Sequence, residues 1–438
     1  MMLLPAIEQA IQKGATDMMT SRKRLSCALE HQHSDRVPVD LGATAVTGIS
    51  HFALHRLRLA LGLSKRPVRI QDPFQILGQM EEDTLQALQV DIAGIYGPTN
   101  FFGFQNKDWK KWTSPQGIEV EVGADFQTSE DGMGNTYIYP QGDRSAKPSA
   151  VLPRDGFYFD NIVRQEAVDE DHLDGRSDFK DQFTVYSDVE LEFYQTESDH
   201  LYQNTDYGLI LNFGGAAIGD AAFLSGPSMK KTPGIRRLEE WYMAHLLYPE
   251  YIKEVYDYQI EIALQNLELL RQAVGNQPQA IFMSGTDFGT QRSEFISPDM
   301  FREFYKPYYR KVNDWVHQNT QWKTFYHSCG SIPKLLDDFV DMGVDILNPV
   351  QCSAAGMDAA SLKEKYGDRL VFWGGGVDTQ KTLPFGTPEE VYAEVQERIG
   401  IFGKSGGFVF NPIHNIQANT PVENILAMFE AIRNSTEN

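Results

Sequence analysis

Short apolar runs alternate with longer amphipathic segments through the C-terminal half of the chain, the pattern left by parallel strands joined through crossover helices. Strands are predicted at QAIFMSG (279–285), KTFYHSC (323–329), VDILNPV (344–350), RLVFWGG (369–375) and GFVFNPI (407–413), with helices between them. Pro298 and Pro388 sit just inside two helix starts, after Ser297 and Thr387 as N-caps, and Thr420-Pro421-Val422-Glu423 reads as a capping box. The N-terminal half adds RVPVDLG (36–42), VDIAGIYG (90–97) and GLILNFGG (208–215), which brings the strands to eight. Eight strands, most followed by a helix, predict an α/β fold of the (β/α)8 TIM-barrel type. A doubly wound open sheet is the alternative, because one sequence does not state strand order.

From about 101 to 205 this rhythm breaks. Turn signals at Ser114-Pro115-Gln116-Gly117 and from Gly132 to Asn135 separate alternating runs such as GIEVEVG and NTYIYPQG, and residues 167–200 are rich in Asp and Glu. This predicts an inserted β-rich excursion followed by an acidic helical segment, which either borders a site or is a surface ornament. The expected organisation is an N-terminal arm over 1–20, open to dimer contacts, and one barrel domain over 21–438 that carries the insertion. No short internal repeat or low-complexity tract is present.

Composition narrows the class of partner. With 42% hydrophobic, 12% aromatic and 23% charged residues the chain has a globular make-up, and 60 acids against 39 bases give a net charge of −21. That field repels phosphate backbones and anionic membrane surfaces, so neither nucleic acid nor membrane is expected as a partner. No apolar window approaches a spanning length, and the opening MMLLPAIEQAIQKG is too acidic and polar for a signal peptide, so a cytoplasmic location is expected. Cys27, Cys329 and Cys352 are odd in number and widely spaced, which argues against a disulfide framework.

In a barrel, reactive groups come from strand ends and the loops after them, at the C-terminal rim. The candidates there are Asp40, Asp287, His327, Cys329, Asn348, Gln351, Cys352, Asp378 and His414. His327 and Cys329 stand at i and i+2 on one predicted strand and so project to the same face. Imidazole and thiolate are donors that zinc favours, and a catalytic zinc takes three protein ligands and keeps one position open. His414, 85 residues beyond Cys329 and past the strand GFVFNPI, is the expected third ligand, with Cys352 its competitor. The alternative is a buried thiol beside a hydrogen-bonded histidine. Cys27, in the helical pattern RKRLSCALE, is assigned to packing.

Asp287, in SGTDFGTQ with Gln291 and Arg292 after it, either orients a substrate, acts as an acid, supports a ligating histidine, or caps its own loop. Gly374-Gly375-Gly376 lacks a phosphate-loop pattern and reads as room for close ligand approach. Phe101, Phe102, Phe104, Trp109 and Trp112 are assigned to core packing or to the wall of a flat-substrate site.

The segments SRKRLSCALEHQHSDRVPVDLG, GTDFGTQRSEFISPDMFREFYKPYYRK, YHSCGSIPKLLDDFVDMGVDILNPVQ and FNPIHNIQANTPVENILAMFEAI together resemble the uroporphyrinogen decarboxylase superfamily. The resemblance implies a (β/α)8 barrel. The decarboxylases of that superfamily hold carboxylated tetrapyrroles with an arginine-bearing R-Q-A-G-R-Y segment, and VDLGATAVTGIS stands after the first strand here, which disfavours that lyase activity. The other branch, the zinc- and corrinoid-dependent methyltransferases, binds zinc through an H-x-C and a late cysteine. His327 and Cys329 match, and His414 takes the late cysteine's place. One thiolate fewer leaves the metal a stronger Lewis acid, suited to an oxygen ligand. The resemblance thus implies an O-demethylase-type methyltransferase with zinc as cofactor; Asp287 and Gln291, from their place in the loop after a strand, are the expected catalytic groups. The methyl would pass from a methoxylated, aromatic small molecule to a corrinoid (cobalamin) carried by a partner protein. The reverse direction, from methylcobalamin to a thiol such as coenzyme M, is the alternative within that branch.

Overall fold

Alternation along the apolar runs sorts their side chains onto two faces. In this computed structural model, which describes residues 19–435, seven parallel strands lie side by side in chain order. They are β1 (Ile92–Ile95), β2 (Gly208–Asn212), β3 (Ala280–Ser284), β4 (Lys323–His327), β5 (Ile346–Asn348), β6 (Val371–Trp373) and β7 (Phe408–Val409). Ile92, Ile210, Ala280, Phe325, Ile346, Val371, Trp373 and Val409 form one buried cluster, the inside of the curled sheet. Their chain neighbours, among them Leu209, Leu211, Ile281, Tyr326, Leu347 and Phe372, belong to the larger cluster beneath the outer helices. Burial on both faces explains why these strands read as continuous apolar runs.

The segment 38–40 closes the ring. Val39 bridges Phe410 in parallel on one side, and the Asp91 N–H donates to the Val39 carbonyl at 2.8 Å on the other. All eight sequence strands are therefore staves of one TIM-barrel-like ring, and the open-sheet alternative falls away.

The helix Ser21–Leu29 plugs the N-terminal end, placing Leu25, Ala28 and Leu29 in the interior cluster. Cys27 is buried there and serves packing. Arg24, on the same helix, reaches Asp91 at 2.6 Å, and Arg36 reaches it at 2.5 Å from the start of the closing segment. Asp91 also accepts from the Val39 N–H and the Ser21 hydroxyl. One carboxylate, wholly excluded from solvent, thus ties plug, closing segment and β1 together. The sequence-level arm of 1–20 falls almost entirely on residues 1–18, outside the described residues.

Between β1 and β2 the chain builds a β-rich excursion. One small sheet orders Leu77–Gly78, Val68–Asp72, Glu119–Val122 and Lys110–Thr113, and a second runs through Thr128–Glu130, Thr136–Ile138, Ala150–Leu152 and Asp160–Asn161. Two strands of the first sheet precede β1, a contribution that VRIQD, polar at alternate positions, does not announce. Phe102 and Phe104 fill the core of this layer, and Trp112 packs on Phe126. The acid-rich tail becomes the helix Asp188–Asn204, started by a Ser187–Glu190 capping box. Ser297 and Thr387 cap as expected from sequence. The capping box at Thr420 does not form: Pro421 occupies the N-cap position of Val422–Asn434, so the Thr420 hydroxyl lies one residue too early to serve it.

Asp91→Ala removes the buried carboxylate that Arg24 and Arg36 share, leaving Arg24 only its pair with Asp35, and should cost about 3 kcal/mol of unfolding free energy, read by urea denaturation; a loss under ~1 kcal/mol would show that the knot is not structural. Asp40, on the closing segment, accepts from the Trp373 indole N–H at 2.8 Å and the Ala43 N–H at 3.1 Å inside the barrel. Burial raises its carboxyl to about 6. A raised carboxyl binds its proton more tightly in the folded state, so its contribution favours folding at low pH and fades as pH rises from the ordinary carboxylate range to about 6. The Trp373 Nε1–H resonance should titrate with a midpoint near 6; a midpoint in the ordinary carboxylate range would refute the assignment.

Candidate metal centre

Parallel pairing sets His327 opposite Asn348, the last residues of β4 and β5. His327 is buried, and its Nδ1 lies 2.6 Å from Asn348 Oδ1, while the Asn348 amide donates to the Trp373 carbonyl at 2.6 Å. With its N–H committed to the interstrand carbonyl, Asn348 is oriented as an acceptor. The imidazole therefore carries its proton on Nδ1 and presents Nε2 as a lone pair.

Alternation continues past the end of β4 because the backbone there is still held. Ser328 N–H donates to the Asn348 carbonyl at 2.8 Å, and Cys329 N–H donates to Asp287 Oδ1 at 2.6 Å. Gly330 then turns with φ +87°, and a Cβ there would stand 2.4 Å from the Gly289 carbonyl carbon. Only glycine lets the loops after β3 and β4 cross so closely, and this crossing brings Asp287 to Cys329. The result sets Cys329 Sγ 3.3 Å from His327 Nε2, with Asp287 Oδ1 at 3.6 Å from the same nitrogen.

His414 follows β7. The chain after it is fixed by Asn415, which accepts from the Gly48 N–H at 2.5 Å and donates to the Ala45 carbonyl at 2.9 Å. The His414 and His327 rings stand 5.4 Å apart, centroid to centroid. One ligand atom each from His327, Cys329 and His414 falls within 4.8 Å of the others. Burial and the nearby His327 lower the His414 imidazole to about 3, so it stays neutral and able to donate a lone pair. Burial and the Asp287 carboxylate push the Cys329 thiol well above its ordinary value. A cation is what such a thiol needs in order to ionise.

The remaining candidates divide. Cys352 stands apart from the triad, donating to the Val350 carbonyl at 3.4 Å and packing on the core; burial raises it to about 12. Gln351 accepts from the Gly330 N–H at 2.8 Å and donates to Gln291 at 2.9 Å, so this pair braces the loop after Cys329. Asp378 caps its own loop through the Gln380 and Lys381 N–H groups. Gly374 and Gly376 make room for Pro349 and the Phe410 ring, not for a ligand as the sequence suggested: a Cβ would stand 2.5 and 2.4 Å from them. Sequence reasoning found Asn348 as a rim residue but not its role. Its register with His327 was the missing information.

A cavity of about 560 Å³ opens between the barrel mouth and the excursion, reaching Asn212, Asp220 and Phe282 on the barrel side and Tyr96 and Phe101 on the other. Phe101 stacks on Phe74 at 4.2 Å and touches Phe223 at 4.9 Å, so the aromatic cluster serves both as core and as cavity wall.

The family model for uroporphyrinogen decarboxylase (URO-D) matches residues 226–435. Uroporphyrinogen decarboxylase of Psychromonas ingrahamii is 35% identical over 85 residues, 18% of this chain and 23% of that protein. The Coxiella burnetii enzyme is 29% identical over 87 residues, 19% of this chain and 23% of its own length. The chain thus matches under a quarter of these relatives' length. A methyltransferase from Methanosarcina mazei superposes with a TM-score of 0.52 at 16% identity, covering 95% of this chain and 99% of that one, a likeness of fold. Among the described residues no helix is long and apolar enough to cross a membrane.

His327→Ala and Cys329→Ala should each abolish zinc retention with the far-ultraviolet dichroism unchanged, since both sit at the rim. Asn348→Ala should lower metal affinity roughly 10- to 100-fold by freeing the imidazole, while Cys352→Ala should leave it untouched. Metal content after dialysis against a graded chelator reads all four. Equal zinc retention in Cys329→Ala and Cys352→Ala would dismiss the triad.

Proposed function

We propose, from the match of residues 226–435 to the uroporphyrinogen decarboxylase family model, that this chain is a zinc-dependent methyltransferase. In this reading it moves a methyl group from a methoxylated, aromatic substrate to a corrinoid protein. The observation that carries it is the convergence of His327, Cys329 and His414 at the end of the barrel where strands β4 and β7 finish. Two imidazoles and one thiolate suit zinc, and three donors leave room for a substrate atom. The structural neighbour from Methanosarcina mazei is a methyltransferase; the likeness carries the fold, and the donor set carries the chemistry.

Zinc bound there would supply Lewis-acid polarisation of a substrate oxygen. The chain's own residues do the rest. Asn348 holds the His327 tautomer that leaves Nε2 free to ligate. Asp287 fixes Cys329 through its backbone, and its half-exposed carboxylate stands at the mouth, able to hold or pass a proton. The cavity would seat the body of the substrate against its aromatic walls. In the balanced reaction the methyl–oxygen bond would break with its electron pair left on the oxygen, which takes a proton to give the phenol, and a partner's cob(I)alamin would supply both electrons of the bond to the methyl and be oxidised to the methylcob(III)alamin level. A lyase acting on carboxylated tetrapyrroles would need cations around its substrate, and among the described residues no lysine, arginine or histidine lines this cavity.

A partner bearing the corrinoid needs a surface beside the mouth. Met243, Leu246 and Leu247 share one face of the helix Leu238–Leu247 and are 56%, 75% and 58% exposed. Tyr242 on that helix packs at 5.5 Å on Phe295, in the loop after β3, so the apolar face adjoins the rim. Such a patch marks an interaction surface.

Mixing the zinc-loaded protein with cob(I)alamin and a panel of methoxyarenes should yield methylcobalamin, followed by its absorbance, and the matching phenols. Asp287→Asn should keep its zinc and turn over roughly 10- to 100-fold more slowly. Methyl transfer only to thiols, or turnover that survives zinc removal, would overturn the reading.

A further inference from the structure

The cavity between the barrel mouth and the excursion, which approaches the loop after β3 through Asp220, has a composition that selects its occupant. Tyr96, Phe101, Tyr186, Phe213, Phe223 and Phe282 give it aromatic walls. Its charged groups are all acids, Asp72, Asp181, Glu190 and Asp220. Two of these are already engaged within the protein: Asp72 accepts from the Phe74 and Gln75 N–H groups and the Gln75 amide, and Glu190 closes the Ser187 capping box.

Asp220 differs. Its Oδ1 accepts from the Ala222 N–H at 2.8 Å, starting the short helix Ala221–Leu224. Its Oδ2 has no hydrogen-bond partner among the described residues, and it faces Gly285, where a built Cβ would stand 3.4 Å away. Gly285 lies two residues before Asp287, so this open oxygen sits where the cavity meets the metal-centre loop. Burial and the Asp287 charge raise the Asp220 carboxyl to about 7, a cost that a hydrogen-bond donor or a cation at Oδ2 would relieve.

We infer that the methyl donor is a small aromatic molecule that carries a hydroxyl or ammonium donor for Asp220 Oδ2 and no anionic group. This rests on the methyl-transfer reading and deepens it by naming the substrate class. Flat aromatic walls favour a ring, and ammonium groups gain from aromatic faces as well as from the carboxylate. A carboxylate on the ring would meet like charge in a pocket with no basic group to receive it.

Guaiacol, vanillylamine and vanillate share one methoxyphenol ring and differ in a substituent that is absent, cationic or anionic. Their binding to the full-length protein, measured by calorimetry with and without zinc and in the absence of corrinoid, tests the inference. Guaiacol and vanillylamine are expected to bind, and vanillate to bind about tenfold more weakly or worse. Asp220→Asn keeps the helix cap, since asparagine caps as well as aspartate, and should narrow the gap between vanillylamine and vanillate. Vanillate binding as tightly as guaiacol, failure of both uncharged and cationic probes, or an unchanged gap in Asp220→Asn would overturn the inference; the ranking of the three ligands on the unmodified protein needs no variant. Binding in the expected order without methyl transfer from any probe would remove the transferase reading and leave the cavity's selectivity standing.

Discussion

The hydrogen bond from His327 to Asn348 is the constraint on which the candidate metal centre depends. It spans two adjacent strands, and it exists because their parallel register sets these residues opposite one another. A one-residue slip of either strand would turn its side chain to the other face of the sheet and part the pair. The register is held by the inward layers below, Phe325 against Ile346 and Ile346 against Val371, so the packed barrel interior fixes the ligand's protonated nitrogen. Packing of large side chains thereby becomes control over a lone pair.

The barrel was legible in the sequence because strands buried on two faces must be apolar almost throughout, and such runs stand out at every one of the eight staves. His327 and Cys329 were legible for a related reason, since spacing of two on an extended chain means one face. His414 followed from its place after the last strand. Asn348 was visible as a rim residue, but its role depends on which strand lies beside β4, and register is not written in a single sequence. Asp220 was missed for a similar reason. In sequence it is one acid among sixty, and its importance comes from a loop approach that leaves one oxygen open. The strand Val68–Asp72 went unread because its parallel partner Glu119–Val122, with Val68 opposite Val120, lies far along the chain and supplies the apolar contacts that VRIQD lacks, and Leu77–Gly78 is a two-residue strand that pairs with Val68–Asp72.

The two ends of the barrel use carboxylates in opposite ways. At the N-terminal end Asp91 is surrounded by Arg24, Arg36 and backbone donors, so its charge is neutralised and tied to structure. At the C-terminal rim Asp287 and Asp220 have no arginine or lysine within ion-pair distance among the described residues. Held by backbone N–H groups, with no arginine or lysine to neutralise them, these carboxylates are poised to interact with something that is not part of the fold. The same asymmetry separates structural from reactive ends in barrels generally.

The chain's acidity gains a local meaning from this division. A net charge of −21 spread over a surface would only repel anions at long range, and salt screens that effect over about 10 Å. Inside the cavity, screening is weak and the bases are missing, so the same sign of charge acts as a filter at contact distance. A cation at the His327–Cys329–His414 triad would offset the rim carboxylates and lower the Cys329 thiol toward ionisation, with the open Asp220 oxygen across Gly285 from the loop that carries Asp287. The site would then present a cation for an oxygen and, on the cavity side of the same loop, a carboxylate for a donor, and a substrate with both groups on one rigid ring can satisfy the two together.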